Sequence, residues 1–350
     1  MPAAALLRPL ANRPKKPLRR TARDRSQNLR RGFQAAFLAL NLWIGIEFYG
    51  FVHYYETAGS RFWPSRPPGV EGWLPIASLM NLKVFLATGQ VPRLHPAGMF
   101  LLVAFLAISW AFRRSFCSWL CPVGTLSEWL WRLGRRVLGR TFRLPRALDV
   151  ALRGVKYLLL ALFLAAVGSM TTASIRAFLE GPYGLVDDVK MLNFFRTLGL
   201  TGGIVIALLV AASALVQNFW CRYLCPYGAL LGLASLASPL RIRRSRESCI
   251  DCGKCAKACP SMLPVDRLVT IRSAECLGCL ECVAACPVAD TLQMTAPGGR
   301  RVPAWGMAAG IALLFLGIAG YARWTGHWHT GLPARVYFEL VPHANEFSHP

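Results

Sequence analysis

Apolar residues in this chain gather in long runs and do not alternate. Five runs can cross a bilayer, at about 33–51, 96–112, 155–172, 200–219 and 303–322, because a helix needs roughly 17 to 25 such residues to span the hydrocarbon core. The second and third sit near the lower limit. A shorter apolar segment over 75–87 is too short to span, and reads as an interfacial or re-entrant helix or as a packed cap over the bundle. The pattern predicts a polytopic α-helical membrane protein of about five spans, the first four forming two helix hairpins.

Composition agrees. Hydrophobic residues make up 54% of the 350, and charged residues only 16%, against about 25% in soluble domains. A net charge of +23 would suit nucleic acid, but its placement argues for membrane topology. With a cytoplasmic N-terminus, segments 1–32, 113–156 and 220–302 carry 31 of the 40 Lys and Arg residues, which is the positive-inside asymmetry. Anionic lipid is the expected partner of that charge, and no nucleic-acid recognition motif accompanies it. The asymmetry fixes sidedness, with tail 323–350 opposite the cytoplasm; a bacterial inner membrane with that tail in the periplasm is the expected location. Arg30-Arg31-Gly32-Phe33 has the form of a twin-arginine export signal, but with four more apolar runs behind it we read it as a basic flank.

All twelve cysteines fall on the expected cytoplasmic side or at the membrane edge, which is no disulfide framework. Eight form two runs, Cys249-Ile-Asp-Cys252-Gly-Lys-Cys255-Ala-Lys-Ala-Cys259-Pro260 and Cys276-Leu-Gly-Cys279-Leu-Glu-Cys282-Val-Ala-Ala-Cys286-Pro287. Each is C-x2-C-x2-C-x3-C-P, the bacterial ferredoxin spacing for a 4Fe–4S cubane, in which the fourth cysteine reaches the other cluster. This assigns Cys249, Cys252, Cys255 and Cys286 to cluster 1, and Cys276, Cys279, Cys282 and Cys259 to cluster 2. Structural zinc would use two cysteine pairs instead. The module, about 247–296, reads as a small α+β bacterial-ferredoxin-like fold held largely by its clusters, with 241–246 as a basic linker before it.

The other four cysteines form an internal repeat. Phe116-Cys117-Ser-Trp-Leu-Cys121-Pro122-Val-Gly124 recurs 104 residues later as Trp220-Cys221-Arg-Tyr-Leu-Cys225-Pro226-Tyr-Gly228. Cysteines at i and i+4 share a helix face. Cys117, Cys121, Cys221 and Cys225 could thus form one four-sulfur metal site, two reversible dithiols, or small packing residues. Domain bounds follow: tail 1–32, bundle 33–240, module 247–296, fifth span 303–322 and periplasmic tail 323–350.

Weaker signals lie at the outer face. Glu47 is an intramembrane carboxylate, and His53 and His95 flank the outer ends of the first two spans. Together they could meet a quinone headgroup, ligate a b-type haem, or merely anchor the interface. His327, His329, His343 and His349 could bind a divalent metal or be solvated.

The double ferredoxin motif with both C-x3-C-P copies resembles a membrane group that includes the NapH-type subunit of periplasmic nitrate reductase systems, the membrane half of the nitrous-oxide-reductase regulator NosR, and the oxidase accessory protein CcoG. The resemblance covers about 33–296, and the chain departs from it in its fifth span and histidine-bearing tail. It implies cytoplasmic clusters and electron transfer across or along the membrane, to the quinone pool or in support of a periplasmic reductase or oxidase system. The rival functions are a maturation factor that handles copper or haem, and a membrane redox sensor. No hydrolase triad, phosphate loop or nicotinamide fingerprint is present.

Overall fold

The structure is a computed structural model that describes residues 19–20, 24–59, 65–139, 142 and 144–349. Most of the expected basic tail lies outside the described residues. The helices are α1 (Ser26–Glu56), α2 (Pro75–Thr88), α3 (Pro96–Ala111), α4 (Phe116–Trp119), α5 (Pro122–Leu138), α6 (Arg146–Ser169), α7 (Thr172–Glu180), α8 (Pro182–Leu185), α9 (Asp187–Arg196), α10 (Leu200–Leu215), α11 (Pro226–Leu236), α12 (Lys254–Ala258), α13 (Glu281–Ala284), α14 (Ala304–Trp324) and α15 (Ala334–Leu340).

Among the described residues α1, α6 and α14 are each long and apolar enough to cross a membrane, and α9 with α10 forms a pair bent by 82° that would make a fourth span. The expected second span is α3, only 16 residues long. It begins at Pro96 and stops before the buried Arg113 and Arg114. Its Leu101, Leu102, Ala104, Phe105 and Ile108 are buried, and it packs on α2, α11 and α14. A helix sheathed by protein need not match the bilayer thickness. By contrast α1 leaves Leu42, Trp43 and Ile46 exposed, as a lipid-facing helix does.

One hydrophobic core joins the bundle to the cysteine module. Phe105, Phe116, Trp119, Leu231, Met307 and Ile311 of the bundle share it with Ile242, Leu263, Val265, Ile271, Leu292 and Met294 of the module. The module is built on a three-stranded antiparallel sheet of order β2-β1-β3, with β1 Arg241–Arg244, β2 Thr270–Ile271 and β3 Leu292–Thr295. Its central strand is the stretch expected to be a basic linker. Four residues with a single aliphatic side chain, Ile242, carry little strand signal, yet Ile242 is buried and pairs with both Ile271 and Met294.

The two C-x3-C-P copies have parallel surroundings. In each an apolar helix (α3, α10) leads through a helical turn (α4, or a π-turn over Trp220–Leu224) into a new helix (α5, α11) that starts at the motif proline. Helix α5 crosses α10 where a Cβ on Gly134 would collide with the backbone of Ala214. Gly134→Val is therefore expected to force the helices apart and destabilise the protein by about 1–3 kcal/mol, read as a lowered melting temperature, whereas Gly154→Ala, with open space around it, should not.

Candidate iron–sulfur and thiol sites

The eight ferredoxin-type cysteines line two cavities, and each fourth cysteine crosses to the other run. One cavity is lined by Cys249, Cys252, Cys255 and Cys286 with Ile250, Gly253, Pro287 and Val288 among its other walls. A second is lined by Cys259, Cys276, Cys279 and Cys282 with Pro260, Leu263 and Val265. Local backbone explains the wrap. The residues on both sides of Cys252, Asp251 and Gly253, have positive φ, as do those on both sides of Cys279, Gly278 and Leu280. Such alternation curls the chain so that successive N–H groups and thiols face one concavity, the geometry of an anion nest. Cys255 and Cys282 then sit on the one-turn helices α12 and α13.

The cavities differ in depth. Cys259, Cys276, Cys279 and Cys282 are all buried, while Cys252 is exposed and Cys249, Cys255 and Cys286 are half-buried. Burial pushes the Cys279 and Cys282 thiols well above their ordinary value and Cys259 to about 11. The protein alone therefore keeps these thiols protonated, and a bound cluster would displace the protons. Among the described residues no three His, Cys, Asp or Glu side chains converge to hold a single ion. A cubane spreads its thiolates over four corners, so the cavities suit it better than zinc.

The deep cavity rests on the first C-x3-C-P copy. Ser118 Oγ donates to the Leu277 carbonyl at 2.7 Å, and Trp119 Nε1 to the Gly278 carbonyl at 3.3 Å. The residues between the two motif cysteines thus hold the Cys276–Cys279 loop that lines the deep cavity, which the spacing alone did not reveal. Two carboxylates bracket this loop. Glu275 receives Lys156 at 2.6 Å, Tyr157 at 2.9 Å and Arg114 at 3.4 Å. Burial opposes its charge, but Arg114 and Lys156 hold its carboxyl below the ordinary range. Glu281 receives Arg30 and Arg132, both at 2.6 Å. Arg30 also forks onto Glu128 at 2.7 and 2.8 Å, and despite burial that pairing keeps Glu128 near 2. Arg30 is fully buried in this network, so the first member of the Arg30-Arg31 pair has a structural task.

The four C-x3-C-P cysteines gather at the same end. Cys121 and Cys225 are not on a continuous helix with their partners. Each caps the next helix in extended conformation with Pro at N1, because a residue before proline avoids helical geometry. Cys225 Sγ accepts from the Gly228 N–H at 3.2 Å. The motif glycines admit close neighbours: a Cβ on Gly124 would strike the Cys117 carbonyl, and one on Gly228 would lie 2.5 Å from Arg114 Nη2. Arg114 joins the copies, donating to Cys117 Sγ at 3.4 Å and the Cys221 carbonyl at 3.2 Å. Burial, then the neighbouring Cys117 and Cys225, raise Cys121 to about 12; Cys221 rises by burial and by Cys225, Cys121 and Cys117.

Among the described residues Glu47, His53 and His95 make no hydrogen bond or ion pair with one another. Glu47 accepts from Ser65 at 3.2 Å. His53 stacks on Tyr49 and faces Glu56 at 3.8 Å. His95 is buried elsewhere, with Nε2 3.0 Å from the Gly184 carbonyl, beside Glu71 and Asp187 at 3.7 and 3.5 Å. Of the tail histidines, His343 pairs with Glu346 at 2.9 Å and His349 packs on Phe178 and Tyr183, while His327 and His329 are exposed.

Two predictions follow from these networks. Arg30→Ala leaves Glu128 and Glu281 buried around one remaining arginine, and breaking such a pair costs about 3–5 kcal/mol; the melting temperature should fall sharply, while Arg31→Ala, at an exposed position, should leave it nearly unchanged. His95 supplies a pH signature. Burial disfavours its charge, but Glu71 and Asp187 lift it from 6.5 to about 9. Its stabilisation is thus complete below about pH 6.5 and disappears as pH rises through about 9, a loss of about 3 kcal/mol. The low value of Glu71, about 2, reflects partly the same pairing. Melting temperatures from pH 6 to 10 should show this decline, and His95→Gln should flatten it.

Residues 94–141 and again 198–245 match the family described as 4Fe-4S binding domain, and 242–294 match the 4Fe-4S dicluster domain. No solved structure matches the chain. YccM of Escherichia coli (strain K12), whose name carries a proposed role in electron transport, is 49% identical over 326 residues, 91% of each chain. Regulatory protein NosR of Pseudomonas aeruginosa is 34% identical over 199 residues, 54% of this chain and 27% of NosR. Ferredoxin-type protein NapH of Escherichia coli is 28% identical over 185 residues, 52% of this chain and 59% of NapH. With iron–sulfur motifs, apolar membrane helices and these relatives, the chain belongs to the YccM family of NapH- and NosR-like, ferredoxin-type 4Fe–4S electron-transfer proteins of the membrane.

Proposed function

We propose that the chain is an electron relay with two 4Fe–4S clusters, Cys249/Cys252/Cys255/Cys286 and Cys259/Cys276/Cys279/Cys282. The observation that carries this is the crossed lining of the two cavities. Single electrons enter at the exposed cluster 1, pass to the buried cluster 2, and leave through the membrane part. The next station is the thiol pocket of Cys117, Cys121, Cys221 and Cys225, whose own intervening residues hold the cluster 2 loop. It serves as a third redox centre before the quinone pool or a periplasmic redox partner. An exit through Glu47, His53 and His95 requires one further carrier. Arg30, beside cluster 2, and His53 lie on the same helix α1, separated by roughly 35 Å at 1.5 Å per residue, and electron tunnelling falls steeply with distance.

In this reading the module, on its sheet from residue 241 onward, is a ferredoxin-like domain on the cytoplasmic side of a bacterial inner membrane. The excess of Lys and Arg in 1–32, 113–156 and 220–302 supports that orientation, with the segment after α14 in the periplasm.

The test is iron analysis with an anaerobic redox titration followed by electron paramagnetic resonance. Wild type should hold about eight iron per chain in two cubanes. Cys259→Ser should alter the same signal as Cys276→Ser, and Cys286→Ser the same signal as Cys249→Ser; pairing within runs would refute the crossed assignment. Replacing Cys117, Cys121, Cys221 and Cys225 with Ser should leave both cubanes in place but stop cluster reduction by a quinol analogue, while Glu47→Gln and His95→Gln should not stop it.

A further inference from the structure

A cleft between the start of α1 and α5 takes no part in the relay. It has a volume of about 460 Å³ and is lined by Arg31, Glu128, Trp129, Arg132, Arg135 and Arg136. Four of its six walls are arginines. The one carboxylate, Glu128, is already engaged by Arg30, Arg132 and Gln34. Arg135 rests over the Trp131 ring at 4.9 Å. Among the described residues Arg31, Arg135 and Arg136 make no ion pair, in contrast to Arg132. The cleft therefore presents unneutralised guanidinium groups, the chemistry that grips a phosphate in forked hydrogen bonds.

Helix α5 tells what carries the phosphate. Its Ser127, Trp131 and Gly134 are buried, and the helix packs on α10. Its Leu126, Trp129, Leu133 and Val137 are exposed. At 100° per residue those four fall within about 80° of one another, with Arg132 and Arg136 along one border. An uncovered apolar stripe with arginines and a tryptophan at its margin is the design of a helix lying in the membrane interface, apolar side in the acyl region and cationic side chains at headgroup level. A soluble anion would use the arginines but leave the stripe in water.

We propose that this cleft binds the headgroup phosphate of an anionic phospholipid, whose acyl chains lie along Leu126, Trp129, Leu133 and Val137. The bound lipid lies beside Arg132, which also pairs with Glu281 next to the cluster 2 ligand Cys282. The site thus fixes the module's docking edge to the membrane surface.

The full chain, reconstituted into nanodiscs of phosphatidylcholine with graded phosphatidylglycerol and released for native mass spectrometry, tests this. Wild type should retain phosphatidylglycerol over phosphatidylcholine. Each basic side chain at an anionic surface is worth roughly fivefold in affinity. The combined Arg31→Gln, Arg135→Gln and Arg136→Gln variant should therefore lose about a hundredfold, and Arg267→Gln, exposed on the module, should lose nothing. If the triple variant does not fold, judged by its melting temperature, Arg136→Gln alone should lose roughly fivefold. Equal retention by wild type and either cleft variant overturns the proposal. Displacement of phosphatidylglycerol by millimolar inorganic phosphate as readily as by short-chain phosphatidylglycerol overturns it in favour of a free-anion site.

Discussion

Three buried cations dictate how the module meets the membrane bundle. Arg30, Arg114 and Lys156 are almost wholly removed from solvent, and a buried charge is tolerated only when paired and hydrogen-bonded. Of their partners, Glu275 precedes the second cysteine run and Glu281 lies within it, adjoining Cys276 and Cys282 in sequence. Pull the module away and all three cations lose carboxylates. The electrostatic penalty for separation therefore falls on the loop that lines the deep cavity, and holds it against Ser118 and Trp119. A shared hydrophobic core adds non-directional adhesion, but the ion pairs set orientation, because each carboxylate has one cradle.

This explains why C-x3-C-P needs more than its cysteines. Proline makes the second cysteine a helix cap, glycine leaves room for a carbonyl in one copy and for Arg114 in the other, and the middle residues of the first copy bind the cluster loop. The copies are alike in plan and unlike in detail. The first supports the module through Ser118 and Trp119; in the second the middle residues Arg222 and Tyr223 turn to Asp149 of α6, at 2.8 and 2.6 Å. Arg114 lies between the copies and touches thiol, carbonyl and carboxylate, which couples the thiol pocket to the cluster 2 loop through one side chain.

Much of this was legible in the sequence. Cysteine spacing named the 4Fe–4S family and grouped the same cysteines that line each cavity, because the spacing of such ligands is local and strict. Long apolar runs located α1, α6 and α14. Other features were hidden for physical reasons. Strand β1 is too short and too basic for alternation to show. Apolarity alone could not tell that α3 is sheathed by protein while α1 leaves an apolar face uncovered. The clamps Arg30–Glu281 and Lys156–Glu275 join residues more than a hundred positions apart, and nothing in either local pattern announces the other. Glu275 and Glu281 could have drawn attention only as acidic residues hard against ligand cysteines in a strongly basic chain.

The opposite end of the molecule obeys the same rule with a different result. Arg66 pairs with Glu71 at 2.6 Å and Asp188 at 2.7 Å, Thr330 donates to Glu71 at 2.6 Å, and His95 leans on Glu71 and Asp187. These residues come from the segment before α2, the head of α3, the start of α9 and the segment after α14, so one compact charge set ties four parts of the chain together. His95 caps α3 in a left-handed conformation just before Pro96, a posture the network must hold in place. A histidine fixed by burial, two carboxylates and a carbonyl is a poor seat for an exchanging quinone and a good keystone. The charges at this end close the bundle, and those at the other end hold the Cys276–Cys282 loop and the C-x3-C-P cysteines together around Arg114.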